Sequence, residues 1–147
     1  MSAQKLYTPE MLSLAMELAA HPLDPQCAMT GEARSQSCGS TLAMSLALDS
    51  EGRIDRLGMR ARACAVGQAA AAIFARHAAG RNAQELAHAL DAIRNWLAGA
   101  SGDGADLPDW PDLALIAAAR DYPARHGSIL LPWQAAVSAL STAPAAR

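Results

Sequence analysis

The feature that most limits what this chain can fold into is a change of apolar period near its middle. Leu42, Met44, Leu46 and Leu48 alternate with Thr41, Ala43, Ser45 and Ala47. Successive strand side chains point to opposite faces, so this is the pattern of a half-buried strand. Asp49-Ser50-Glu51-Gly52 is a cluster of turn residues. After it, Leu57, Met59, Ala61 and Ala63 alternate with Arg56, Arg60 and Arg62. Two such runs about a turn predict an antiparallel hairpin with one apolar face and one basic, solvated face.

On either side of the hairpin the spacing is helical. Thr8-Pro9-Glu10 is a helix start, with a hydroxyl cap, proline at the first helical position and an acid in the first turn. Met11, Leu14, Ala15 and Leu18 extend that helix to about Ala20, where His21-Pro22 and Asp24-Pro25 break it into a loop carrying Cys27. After the hairpin, Cys64 to Ala79 is alanine-rich and ends at Gly80. Asn82 with Glu85 resembles a capping box, and Leu86, Leu90, Ile93 and Leu97 form an apolar stripe ended by Gly99. Ser101 to Asp106 reads as a flexible acidic loop. A short helix is expected around Asp112 to Ala119, with a break at Tyr122-Pro123. A last helix runs to about Ala139, with Pro132 in its first turn. Helices around a hairpin, without βαβ alternation, give an α+β fold: a small antiparallel β-sheet of about three strands covered on one face by helices.

The 147 residues suffice for one core, and residues 1–147 read as a single domain. A net charge of -2 with mixed signs leaves no basic footprint, so nucleic acid is not an expected partner. No apolar run approaches the roughly 20 residues that span a bilayer, which excludes a membrane role. The N-terminus lacks a secretory pattern, so a cytoplasmic location is expected. Three cysteines, an odd number, argue against a disulfide framework in that setting and leave core filling, metal ligation or thiol chemistry. Phosphate-cradling glycine loops and nucleophile-elbow serines are absent, which lowers the case for a conventional enzyme.

The hairpin bears on the cysteines directly. Cys38 precedes the first strong strand and Cys64 follows the second. The start of one antiparallel strand lies beside the end of the next, so the two are expected to be neighbours. Cys64 also opens a helix, where unpaired N–H groups and the helix dipole favour a thiolate. Two thiols at one sheet edge make a soft-metal or sulfur-handling site.

In order and spacing, the chain resembles the U-type iron–sulfur cluster assembly scaffold family (NifU N-terminal, IscU and SufU-like). Thr30-Gly31-Glu32-Ala33 before Cys38-Gly39 is similar to the family's run into its first cysteine, and Cys64 matches the second. Asp121-Tyr122-Pro123-Ala124-Arg125 and Leu130-Leu131-Pro132-Trp133 resemble the third-cysteine region of the SufU-like branch, as does the insertion between residues 80 and 122. The resemblance implies a SufE/NifU-like fold and a scaffold or carrier, not an enzyme. Such a protein holds an iron–sulfur (2Fe-2S) cluster, receives sulfur from a cysteine desulfurase and passes clusters to recipient apoproteins. In the SufU-like branch the same site holds zinc and accepts sulfur.

The departures fall on the ligands. The family's aspartate corresponds to Ser40, its third cysteine to Ser128, and the histidine of the IscU branch to Gly127, with His126 one place earlier. Hydroxyls are poor ligands for iron or zinc beside thiolate or imidazole. The cofactor ligands expected are thus Cys38 and Cys64, with His126 as a further metal ligand and Ser40 and Ser128 in neighbouring positions. Three outcomes stay open: a homodimer pooling two cysteines from each chain, His126 joining as a third ligand, or loss of metal with the fold kept as an interaction module. Cys27 matches no ligand position and reads as an incidental, semi-buried thiol. His21 suits the end of the first helix, and His77 and His88 read as surface or boundary residues. Trp96 and Trp133 are expected in the core, and Trp110, between Pro108 and Pro111, in an exposed loop.

Overall fold

The computed structural model of the chain describes residues 8–36, 39–99 and 107–141. Three strands, β1 (Met29–Arg34), β2 (Thr41–Leu48) and β3 (Ile54–Arg62), form an antiparallel sheet in the order β1-β2-β3. Four α-helices accompany it: α1 (Pro9–Glu17), α2 (Ala65–His77), α3 (Ala83–Leu97) and α4 (His126–Ser141). The fold class is the α+β layer expected from the change of period.

The β2–β3 register sets Leu42 opposite Ala61, Met44 opposite Met59 and Leu46 opposite Leu57. These residues form the inner face, on which α4 lies across β1 and β2 while α2 packs beside α4 and reaches β3. The closest approach is at Gly31 in β1. A Cβ there would sit 2.3 Å from the Ala135 carbonyl oxygen and 2.5 Å from the Ala139 nitrogen, so only glycine lets α4 this near the sheet.

The outer face is covered over part of its length. The loop after α1 crosses it at Gly58, where a Cβ would meet the Pro22 carbonyl oxygen at 2.0 Å. The Asp24 N–H donates to Ser45 Oγ at 3.0 Å, and Cys27 of the same loop is buried. Ser45 is therefore fully buried, where alternation alone places it in solvent. Burial, followed by the nearby Asp24 charge, pushes the Cys27 thiol up from its ordinary value.

The helix signals hold locally. Thr8 Oγ1 accepts from the Met11 N–H at 3.1 Å, and α1 tightens into a 3₁₀ turn over Leu18–Ala20. The capping box is complete: Asn82 Oδ1 accepts from the Glu85 N–H at 2.8 Å, and Glu85 Oε1 from the Asn82 N–H at 3.1 Å. The segment expected as a short helix is a 3₁₀ run, Leu113–Asp121, kinked at Ile116, and a further 3₁₀ turn at Pro123–Arg125 leads into α4.

Two expectations are corrected. Pro132 lies inside α4, not in its first turn, because the helix begins at His126. Lacking an N–H, Pro132 cannot donate to the Ser128 carbonyl one turn back. Trp110 is in a loop but only 3% exposed. It stacks on Phe74 at 5.4 Å between ring centroids and meets Trp133 edge-on at 5.3 Å, while its Nε1 donates to the Ile73 carbonyl at 3.2 Å. Trp96 and Trp133 are buried as expected. Among the described residues, no helix is long and apolar enough to cross a membrane.

Candidate functional site

The site lies where three connections meet at one end of the sheet. The first is the turn before β2. The Ser35 N–H donates to the Ser40 carbonyl at 2.8 Å and the Gly39 N–H to the Ser35 carbonyl at 2.9 Å, which closes the turn on itself. Gly39 has a φ of 73°, a left-handed conformation that glycine adopts without a Cβ penalty. Ser40 then enters the sheet next to Thr41, whose partner is Arg62 at the far end of β3.

The second connection is the turn from β3 into α2. Cys64 is the N-cap, with extended backbone, yet its side chain makes no capping hydrogen bond. The first turn is held by other groups: the Gln68 N–H donates to the Cys64 carbonyl at 2.9 Å, and Gln68 Nε2 to the Ala63 carbonyl at 2.8 Å. The half-buried sulfur is therefore not consumed by capping.

The third is the first turn of α4, which brings Ser128 under both. Ser128 Oγ lies 4.0 Å from Cys64 Sγ and donates to Ser40 Oγ at 3.2 Å. Ser40 and Ser128 are both buried. Gly67, one turn into α2, makes room for this approach. A Cβ there would stand 2.7 Å from the Ala63 Cβ and 3.1 Å from the Ser128 Cβ. Gly67 was not among the sequence expectations. The signal was a glycine inside an alanine-rich helix, a costly choice that usually has a packing reason.

Cys64, Ser40 and Ser128, three of the positions that the resemblance sets at family ligands, thus lie together, with Ser128 touching the other two. The spacing suits metal chemistry. Two sulfurs on one tetrahedral centre with metal–sulfur bonds of about 2.3 Å are roughly 3.8 Å apart, close to the 4.0 Å between Cys64 Sγ and Ser128 Oγ. The donors suit it less well, since two of the three are hydroxyls. Among the described residues, no group of three or more His, Cys, Asp or Glu side chains could hold a metal ion.

Cys38 lies outside the described residues. His126 is two residues before Ser128, and helix positions two apart do not face each other. Its Nε2 donates to the Arg120 carbonyl at 2.6 Å. His21 ends the 3₁₀ turn after α1 and its carbonyl accepts from the Met59 N–H, while His88 is exposed on α3. His77 Nε2 donates to Asp112 Oδ2 at 2.7 Å. This lies at the far end of α2, where Arg76 also bridges Asp112 and Glu17.

No family model matches the chain, and no curated protein matches it in sequence. Solved structures do. A nitrogen-fixing NifU-like protein (N-terminal) from Brucella abortus is 27% identical with a TM-score of 0.81, covering 94% of this chain and 94% of that one. A protein from the thermophile Fervidobacterium islandicum AW-1, assigned as an iron–sulfur cluster assembly scaffold for the SUF system, is 18% identical with a TM-score of 0.80. That match covers 95% of this chain and 99% of the other. A hypothetical protein shares the fold at 14% identity and a TM-score of 0.71, over 90% and 97% of the two chains. The three-stranded α+β architecture is thus shared with solved NifU-like and SufU-like structures, and at 27% identity over nearly its whole length the chain is similar to the NifU-like protein, in keeping with the resemblance that the order of its sequence segments carries.

Proposed function

We propose that this chain is an iron–sulfur assembly scaffold or carrier that holds its cargo through the cysteine pair Cys38 and Cys64. The observation that carries the reading is the convergence of Cys64 and Ser40 on Ser128, which lies within hydrogen-bonding range of each. These residues come from three distant parts of the sequence, and each aligns with a ligand position of the family. Cys38 stands two residues before Ser40 in the chain. A cysteine desulfurase as sulfur donor and apoproteins as recipients are the partners this role requires.

The ligand count shapes the role. A two-iron cluster takes four ligands, mostly thiolates, and one protomer offers Cys38 and Cys64, the latter with the buried Ser128 hydroxyl 4.0 Å away. The remaining ligands come from outside the protomer, either a second copy of the chain or the recipient. Cargo held this way is held weakly and is easily passed on. The alternative of a zinc-holding sulfur acceptor gains no support from a described donor set of one thiol and two hydroxyls.

Anaerobic reconstitution with ferrous iron, sulfide and thiol is the test. Visible charge-transfer absorption is expected for the native chain and its loss for Cys38→Ala with Cys64→Ala. No absorption in the native chain, or absorption that persists in the double variant, overturns the proposal.

One observation favours a second reading. Ser128 donates to Ser40, so two positions where the family keeps ligands carry hydroxyls that bond to each other. A chain that has given up metal for an interaction role would tolerate the double cysteine variant in the cell without loss of iron–sulfur enzyme activity.

A further inference from the structure

The outward face of the sheet carries a second feature at the end nearest Cys64. Register places Arg34 opposite Thr41 and Thr41 opposite Arg62, then Glu32 opposite Ala43 and Ala43 opposite Arg60. Neighbouring strands are about 4.8 Å apart, so Arg34 and Arg62 stand roughly 10 Å from each other across Thr41. All three arginines are exposed. With Thr41 and Ala43 as a floor of small side chains, they line a groove of about 410 Å³.

Among the described residues these arginines make no ion pair, whereas Arg53, Arg56, Arg76 and Arg94 each pair with a carboxylate. Three unpaired guanidinium groups on one strip of a chain with net charge -2 form a local positive field. The same face shows how such a surface is covered. Farther from Cys64, the loop after α1 lies on Ser45 and Gly58 and brings Asp24 to Arg56, with Oδ2 and Nη1 3.4 Å apart. There the chain supplies its own carboxylate. Among the described residues lining the groove, the one carboxylate is that of Glu32.

We infer that the groove bounded by Arg34, Arg60 and Arg62 is the docking surface for a carboxylate-rich segment of a protein partner that exchanges cargo at Cys64. The exchange rests on the scaffold reading above; the docking rests on charge and shape alone. Arg62 is two residues from Cys64 and Thr41 is next to Ser40, so the groove and the thiol lie at the same end of the sheet. Guanidinium forks bind carboxylates in bidentate fashion, and complementary charge sets the register and speeds association. Three arginines with Glu32 among them suit a short acidic peptide. A nucleic-acid backbone needs a longer basic track.

Fluorescence anisotropy with a labelled octa-glutamate peptide at low salt tests this on the chain without iron or sulfide. The native chain should bind the peptide, and the double reversal R60E with R62E should weaken binding at least tenfold. R60Q with R62Q should fall between the two, and R94E, on α3, should bind like the native chain. Melting curves establish that each variant is folded. Equal binding by native chain and double reversal overturns the inference, as does tighter binding of an oligothymidylate of equal charge. Failed cluster reconstitution in the native chain would remove the scaffold reading and leave the peptide result standing.

Discussion

The two ends of helix α2 are built on opposite principles. At its N-terminus Cys64 caps the helix without using its sulfur, which lies 4.0 Å from the buried Ser128 hydroxyl. At its C-terminus Arg76 binds both Glu17 and Asp112, His77 donates to Asp112 at 2.7 Å, and the Arg81 guanidinium lies 4.0 Å from the centroid of the Trp110 ring. Behind these contacts Phe74, Trp110 and Trp133 pack with centroids 5.3 to 5.6 Å apart. Aromatic pairs of this kind contribute about 0.5–1.5 kcal/mol each beyond their buried area. One end ties α1 and the 3₁₀ segment to α2. The other leaves the Cys64 thiol half-buried with a long contact to Ser128. The helix is anchored where no chemistry is proposed, so the reactive end can remain lightly bonded.

The largest expected effect is at the anchored end. Trp110→Ala removes the stacked ring, its hydrogen bond to Ile73 and the platform for Arg81. Large-to-small changes of a buried tryptophan cost roughly 3–5 kcal/mol, which should appear as a lower urea midpoint. Below that midpoint, the rate at which iodoacetamide alkylates Cys64 should match the native rate. A large change in that rate would mean the two ends are coupled and break the comparison.

Next comes the charge network at the same end. The hydrogen bond from His77, followed by that from Arg76, holds the Asp112 carboxyl below its usual range, and Arg76 does the same for Glu17. A lowered carboxylate stabilises the fold above its unfolded value, about 3.9 for Asp. That contribution is lost as pH falls through the lower folded value. Acid destabilisation should therefore set in below about pH 4 and be shallower in Asp112→Asn. Asparagine suits this test because Asp112 has a φ of 72°, a conformation it tolerates. The pairs are partly solvent-exposed, so the variant should cost only about 1 kcal/mol or less at neutral pH. Chemical unfolding of both proteins between pH 3 and 7 measures it, and parallel curves would remove Asp112 from the network.

How far the sequence carried each region follows from the same contrast. The hairpin was legible because Leu42, Met44 and Leu46 alternate strongly with small or polar residues. β1 had no such periodic signal, since its inner positions include Gly31 and Ala33, kept small by the close approach of α4. At the site, the places of Cys64, Ser40 and Ser128 were legible from order and spacing. Their hydrogen bonds, and the space that Gly67 provides, depend on α4 arriving from more than 60 residues away. The anchored end was nearly invisible. Trp110 sits between prolines and reads as loop, and only the folding of that loop onto Phe74 and Trp133 buries it. Pro132 was misplaced because proline favours a first turn, whereas α4 starts six residues earlier, at His126.

The smallest expected change in stability is also the sharpest test of the reactive end. Ser128→Cys is nearly isosteric and should shift the unfolding midpoint by less than about 1 kcal/mol. It weakens the hydrogen bond to Ser40 and adds a fourth cysteine to the chain, at the position where Ser128 Oγ stands 4.0 Å from Cys64 Sγ. That separation is close to the roughly 3.8 Å between two sulfurs on one tetrahedral metal. If Ser128 occupies a ligand place, the variant should retain more iron and sulfide per chain after anaerobic reconstitution and gel filtration. Its charge-transfer absorption should also decay more slowly against a chelator. Unchanged retention in a folded variant would mean that the cluster of Cys64, Ser40 and Ser128 is a packing arrangement, and that cargo, if held, is held by other groups.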